Sequence, residues 1–138
     1  MKPSYILDAC AMIAYFNDET GAEVVSGRID NMHEGSAMLL MHKINLLEIY
    51  YCFYKERGKD LADAMFNEVK ECGIHIIDYI SDMVFAEAGR LISEYRISLG
   101  DSLLLAQAYA SGASVLTCDH HEFDPVNAKE QIVFEWIR

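Results

Sequence analysis

One stretch, residues 97–123 (ISLGDSLLLAQAYASGASVLTCDHHEF), places the strongest constraint on how the chain can fold. It predicts a helix containing the good helix formers of residues 103–110, then a buried strand at residues 114–117 and a loop. Asp101 stands at the start of this helix, and Asp119 follows the strand. Because the helix returns the chain, we expect both carboxylates at one edge of a parallel sheet, where open α/β folds bind ligands.

The borders of this helix are marked by glycines and small polar residues. Gly100 permits a turn, and Asp101 and Ser102 stand where a helix needs side-chain acceptors for its free N–H groups. Gly112 stands where helices commonly end. The pattern therefore predicts a helix that begins close to Asp101 and ends before Gly112.

The rest of the chain alternates between strand and helix patterns. Strands are predicted at residues 4–7, 37–41, 74–79 and 132–136, and helices at residues 9–16, 21–32, 43–56, 59–72 and 81–95. Such alternation is typical of an α/β fold in which a mainly parallel sheet carries helices on both faces. The hydrophobic share of 52% is enough for a sizeable core, and residues 1–138 are expected to form one domain.

The net charge of −11 restricts how the protein could bind a nucleic acid. Phosphates are usually contacted by Lys and Arg, so the acidic balance argues against nonspecific binding through a basic field. It does not exclude a nuclease whose carboxylates hold metal ions, because the cations would then supply the positive potential.

The cysteines and the hydropathy of the chain indicate the cellular compartment in which the protein is expected. The chain has four cysteines, Cys10, Cys52, Cys72 and Cys118, and no CxxC pair, so a zinc ribbon is not expected. Each lies in an apolar setting, which favours buried free thiols. No segment has the pattern of a signal peptide or the length of a membrane span. We therefore expect a cytoplasmic protein without a membrane partner.

Four acidic residues are candidates for a functional site: Asp8 interrupts an apolar run, Glu48 is flanked by apolar and aromatic residues, Asp101 stands at the start of a predicted helix, and Asp119 follows a predicted strand. Each has an ordinary structural explanation, since the aspartates could cap helices or stand in turns and Glu48 could face solvent. The set is more informative than any member, because an α/β sheet can bring all of them to one edge. Carboxylates suit Mg²⁺ or Mn²⁺, and two such ions can clamp the attacking and leaving oxygens of a phosphodiester displacement.

The segments around these acidic residues resemble the motifs of PIN domains, and among those the VapC-type toxins of bacterial and archaeal toxin–antitoxin systems. In chain order the segments are ILDACAMIAYF with Asp8, NLLE with Glu48, SLGDSLLLAQA with Asp101, and TCDHHEF with Thr117, Asp119 and Phe123. Each motif alone is weak, whereas all of them in this order and spacing are fairly specific. The resemblance covers nearly the whole chain.

The resemblance implies a three-layer α/β/α fold and a divalent-metal-dependent endoribonuclease that hydrolyses RNA phosphodiester bonds as the toxin of a VapBC-type pair. The implied catalytic residues and ligands of Mg²⁺ or Mn²⁺ are Asp8, Glu48, Asp101 and Asp119. The residues implied to support these ligands are Asn45 and Thr117. The resemblance further implies a homodimer and a small antitoxin protein that blocks the site.

A non-catalytic PIN-fold module used for binding or scaffolding is the alternative function. Ala9 and Cys10 follow Asp8, where the family usually has hydroxyl residues. An aspartyl phosphatase is a weaker rival, because that class needs a second Asp two residues after the first, where this chain has Cys10. Failure to bind a divalent metal would favour the non-catalytic module.

The helix predicted at residues 43–56 carries a run of aromatic side chains at Tyr50, Tyr51, Phe53 and Tyr54. At helical spacing Tyr50 and Tyr54 share one face, while the other two point elsewhere. The helix is thus apolar on more than one side. A surface for a dimer partner or an antitoxin is one explanation, and burial in the core is the other.

Overall fold

The computed structural model describes residues 1–138 as a parallel sheet covered by helices. The strands are β1 Ser4–Leu7, β2 Met38–His42, β3 His75–Ile77, β4 Ser114–Thr117 and β5 Phe134–Trp136. The helices are α1 Ala9–Phe16, α2 Ala22–His33, α3 Lys43–Arg57, α4 Lys59–Cys72, α5 Asp82–Glu94, α6 Leu99–Ser111 and α7 His120–Asn127. The predicted α/β fold with a parallel sheet is confirmed.

The strand order is β3-β2-β1-β4-β5, and every neighbouring pair is parallel. Because successive side chains of a strand point to opposite faces, the central strand β1 contributes to two cores. Leu7 belongs to a cluster of 17 buried residues that includes side chains of α1 to α4. Ile6 belongs to a cluster of 16 buried residues that includes side chains of α5, α6 and α7. The result is the predicted three-layer sandwich.

The parallel pairing brings the carboxyl ends of three strands to one edge of the sheet. β1 ends at Leu7, β2 at His42 and β4 at Thr117. Asp8 follows the first of these strands directly, α3 begins directly after the second, and Asp119 follows the third by two residues. Chain segments that are far apart in sequence therefore meet where ligands bind in α/β folds.

The start of α6 differs from the prediction. The helix begins at Leu99, and the hydroxyl of Ser98 accepts a hydrogen bond from the backbone N–H of Asp101 at 3.1 Å. Ser98 is therefore the N-cap, and Gly100 lies in the first turn of the helix instead of in a preceding turn. Since Asp101 does not cap the helix, its carboxylate is available for another role.

A helix also replaces the loop that was predicted after β4. The side chain of Asp119 accepts a hydrogen bond from the backbone N–H of Glu122 at 3.1 Å and caps α7, in which Pro125 is an internal residue. The short length of α7 and its proline masked this helix in the sequence, because a proline normally marks the end of a helical pattern. No helix in the protein combines the length and apolar character needed to cross a membrane.

Candidate active site

Asp8 is the most deeply buried of the predicted acidic site residues, with 4% of its surface exposed. Its Oδ1 accepts a hydrogen bond from the backbone N–H of Ala11 at 2.8 Å, which caps α1, and its Oδ2 accepts one from the Thr117 hydroxyl. Burial raises the pKa of Asp8 to about 7, since desolvation outweighs these two hydrogen bonds and the charges of Asp101 and Asp119 add to it. The capping and site interpretations of Asp8 are thus both compatible with its contacts.

Glu48 is held by Asn45, one helical turn earlier on α3. The side-chain Nδ2 of Asn45 donates to Glu48 Oε1 at 3.0 Å and to the backbone carbonyl of Gly100 at 3.1 Å. Asn45 is 1% exposed, and its Oδ1 is a buried acceptor without a hydrogen-bond partner. The amide therefore joins α3 to α6 and fixes the half-buried Glu48 carboxylate between them.

Asp101 lies in the first turn of α6 and is half-buried. Burial is the main reason that its pKa is raised to about 6. The negative charges of Glu48, Asp119 and Glu122 raise this pKa further, while a hydrogen bond from Ser98 lowers it. Glu122 lies in the first turn of α7, three residues after Asp119, and its position in the sequence already made it a candidate to assist the site.

Asp119 is connected to Asp8 through Thr117. The backbone N–H of Asp119 donates to Thr117 Oγ1 at 3.0 Å, and the same hydroxyl donates to Asp8. Thr117 is fully buried. Both residues predicted to support the acidic side chains, Asn45 and Thr117, therefore contact them directly.

The structure brings all four predicted acidic residues to the carboxyl edge of the sheet, and we call this set the acidic edge: Asp8, Glu48, Asp101 and Asp119. Burial is the larger cause of the raised pKa values of Asp8 and Asp101, and the negative charges of neighbouring members of the set add to it. No three His, Cys, Asp or Glu side chains in the protein are close enough together to hold one metal ion. The carboxylates would therefore have to draw together around a cation.

The donor chemistry of the acidic edge fits a hard divalent cation. All its side chains offer carboxylate oxygens, which Mg²⁺ and Mn²⁺ prefer. Two of them, Asp8 and Asp101, hold protons more tightly than an ordinary aspartate does. A cation bound there would stabilise the charged carboxylates against both the burial and the repulsion that raise these pKa values. The orphaned Oδ1 of Asn45 is one further oxygen acceptor beside the carboxylates.

Two cysteines flank the acidic edge and form a disulfide, so the prediction that all cysteines are free thiols is wrong for this pair. Cys10 follows Asp8 by two residues, Cys118 directly precedes Asp119, and their Cα atoms are 6.2 Å apart. The adjacency of the ends of β1 and β4 brings them together across 108 residues, which no local pattern could indicate. The remaining two cysteines are free and half-buried.

A parallel α/β sandwich with acidic side chains gathered at the carboxyl edge is compatible with two classes of protein: enzymes that act on nucleic acids or other phosphoesters, and binding modules. The family model of the PIN domain matches residues 5–129. This match covers most of the chain, and the protein belongs to the PIN domain family.

Solved toxin–antitoxin structures share this fold. A DNA-bound VapBC from Salmonella typhimurium matches with a TM-score of 0.74 and 16% identity over 100% of both chains. VapBC2 from Rickettsia felis, bound to a promoter DNA fragment, has a TM-score of 0.72 and 18% identity over 96% of this chain and 98% of that one. VapC20 from Mycobacterium tuberculosis, a sarcin–ricin loop cleaving toxin, has a TM-score of 0.68 and 13% identity over 88% and 94%. Comparison with curated protein sequences finds no match.

Proposed function

We propose that the protein is a divalent-metal-dependent endoribonuclease that acts as the toxin of a VapBC-type toxin–antitoxin pair. The observation that carries the proposal is the convergence of Asp8, Glu48, Asp101 and Asp119 at the carboxyl edge of a PIN-domain sheet. The fold that the protein shares with VapBC proteins supports the same assignment.

Mg²⁺ or Mn²⁺ would be held by the acidic edge. A divalent cation bound there lowers the pKa of water and stabilises negative charge on phosphate oxygens. The chain itself orients the ligands: Ala11 and Thr117 fix the Asp8 carboxylate, and Asn45 fixes that of Glu48. Asp8 and Asp101 would lose their protons when the cation binds, so binding should release protons near neutral pH.

RNA is the proposed substrate, because VapC20, which shares the fold, is described as cleaving the sarcin–ricin loop. The net charge of −11 means that the protein's overall field would repel RNA. Binding would therefore depend on the cations at the acidic edge, and we expect RNA affinity to require the divalent metal.

The test is cleavage of single-stranded RNA with Mg²⁺ or Mn²⁺ by the wild type and by Asp8→Asn, Glu48→Gln and Asp101→Asn. Loss of residues that merely support a metal ligand costs about 10- to 100-fold, so loss of a ligand should cost about 100-fold or more. Glu56→Gln is the matched control, because Glu56 lies on the same helix as Glu48 but is exposed. Wild-type activity in Asp8→Asn, Glu48→Gln and Asp101→Asn alike would contradict the proposal.

The non-catalytic binding module is supported by two observations. No three potential ligand side chains lie at metal-binding spacing, and Ala9 and Cys10 place no hydroxyl directly after Asp8. The discriminating measurement is calorimetric titration of the protein with Mn²⁺. Binding that is lost in Asp8→Asn favours the enzyme, and no binding at millimolar Mn²⁺ favours the module.

An antitoxin partner and a homodimer are part of the proposal. The antitoxin is supported by the fold that the protein shares with VapBC proteins from Haemophilus influenzae, Salmonella typhimurium and Rickettsia felis. For a dimer, Tyr51 and Tyr54 are 45% and 46% exposed on α3, whereas Phe53 is buried. Tyr50 is half-buried and donates a hydrogen bond to Asp63 at 2.6 Å, so it packs α3 on α4. Tyr54→Arg should therefore shift a dimer to a monomer in size-exclusion chromatography, and an unchanged elution volume would contradict a dimer contact at this surface.

A further inference from the structure

Gly100 occupies a position where any side chain would collide with Glu48. A Cβ placed on Gly100 would lie 2.6 Å from Glu48 Oε1 and 3.2 Å from Oε2. The Glu48 carboxylate therefore fills the space that a side chain at this position would need. Gly100 is also the residue directly before Asp101 in the first turn of α6.

We propose that Gly100 is a positioning residue. Because it has no side chain, it leaves a space beside Asp101 in which the Glu48 carboxylate packs against α6, and we call this space the seat of Glu48. The seat can be demonstrated without metal, and its importance for cation binding rests on the function proposed above. Asn45 completes the seat, because its Nδ2 bonds the Glu48 carboxylate and the carbonyl of Gly100 together.

Backbone conformation does not explain a glycine at this position. Gly100 is not among the glycines with positive φ, and it lies within a helix, where glycine is among the least favourable residues. Gly21, by contrast, has a φ of 99° and is required by its turn. The contact with Glu48 is thus the feature of the structure that accounts for the absence of a side chain at Gly100.

A substitution at this position should disturb the site more than the fold. The atoms that a new Cβ would meet belong to the end of a flexible side chain, so Glu48 can swing away without moving either helix. Gly100→Ala should therefore unfold at the same temperature as the wild type or higher, because alanine favours the helix. The displaced carboxylate would lose its hydrogen bond from Asn45.

The experiment compares the wild type, Gly100→Ala and a matched control, Gly89→Ala. Gly89 is also helical, and a Cβ there meets nothing within 4 Å. Three quantities are measured: the unfolding temperature, the NMR resonances of the Asn45 side-chain amide in metal-free protein, and the dissociation constant for Mn²⁺. Gly100→Ala should shift the Asn45 resonances and raise the dissociation constant about 10-fold or more, while Gly89→Ala changes neither.

Glu48→Asp allows a double-mutant test of the contact between Gly100 and Glu48. Its carboxylate is one methylene shorter and withdraws from Gly100, so adding Gly100→Ala to Glu48→Asp should have no further effect on Mn²⁺ binding. Additive effects of the two substitutions, or unchanged Asn45 resonances in Gly100→Ala, would overturn the inference. If the wild type cleaves no RNA and binds no Mn²⁺, the proposed function fails, and the metal-free Asn45 resonances still decide whether Gly100 seats Glu48.

Discussion

The Thr117 hydroxyl donates a hydrogen bond to Oδ2 of Asp8, which lies 109 positions earlier in the chain. The same hydroxyl accepts a hydrogen bond from the backbone N–H of Asp119. Because β1 and β4 are parallel neighbours, one buried threonine at the end of β4 can orient the acidic residues that follow both strands. The acidic edge is therefore organised by a side chain that is itself neither acidic nor exposed.

Replacement of Thr117 by valine, which has nearly the same shape, should weaken both the fold and the site. Asp8 would remain buried with one hydrogen bond fewer, which should lower the free energy of unfolding by about 1–3 kcal/mol. The pKa of Asp8 would rise further, because the Thr117 hydrogen bond lowers it. Mn²⁺ should then bind more weakly at neutral pH. Urea unfolding and calorimetry measure the two effects, and Thr117→Ser, which keeps the hydroxyl, should restore both.

The stability of the metal-free protein should fall as the pH rises from acidic to neutral. The pKa of Asp8 is raised from 3.8 to about 7, so between these values the folded state binds a proton that the unfolded state has lost. Asp101 acts in the same direction up to about pH 6. In EDTA the protein should therefore unfold at a lower temperature at about pH 8 than at about pH 5.5.

Asp8→Asn isolates the contribution of Asp8, because an amide does not titrate in this range. This variant should lose part of the pH dependence, whereas Asp78→Asn, at an exposed position, should keep it. Saturating Mn²⁺ should raise the unfolding temperature of the wild type at about pH 8 by mass action. An identical pH dependence in wild type and Asp8→Asn would contradict the raised pKa of Asp8.

Much of the fold could be predicted because turn and capping residues mark the ends of many helices and strands. The bounds of β1, α1, α4 and β4 are those predicted from residues 4–7, 9–16, 59–72 and 114–117. In α4, glycines on both sides and a spaced row of apolar residues define the helix. β3 and β5 were predicted longer than they are, since the hydrophobic patterns continue beyond the residues that pair in the sheet.

The acidic side chains could be found in the sequence because Asp8 and Glu48 carry charge in apolar segments and Asp101 and Asp119 stand at the ends of predicted elements. The parallel topology then places them at one edge. Helical spacing placed Asn45 on the face of Glu48, and Thr117 was expected to contact Asp119 from two residues earlier. The contacts of these two residues with Gly100 and Asp8 depend on tertiary packing and could not be predicted. No local signal marked Gly100 as the seat of Glu48 or paired Cys10 with Cys118. These relationships join segments between 52 and 108 residues apart, beyond the range of helix and strand periodicity.

The start of α6 provides a direct test of which residue is the cap. Ser98→Ala should lower the free energy of unfolding by about 1 kcal/mol, because it removes the acceptor for the N–H of Asp101. Asp101→Asn should leave stability unchanged or increase it, since it removes a half-buried charge that repels its neighbours. Denaturant unfolding of both variants measures the difference. A larger loss in Asp101→Asn than in Ser98→Ala would make Asp101 the cap, as the sequence alone had predicted.

The disulfide between Cys10 and Cys118 should be detectable by counting thiols. Protein purified without reductant and then denatured should react with a thiol reagent at two positions, Cys52 and Cys72, and at all four cysteines after reduction. Because the bond closes a loop over most of the chain, reduction should lower the stability by up to about 4 kcal/mol. Cys10→Ala should remove this response to reductant, whereas Cys52→Ala should retain it. Four reactive thiols in unreduced protein would show that these cysteines are neighbours without a bond, and the ends of β1 and β4 would then be held together by the backbone hydrogen bonds of the sheet and by Thr117.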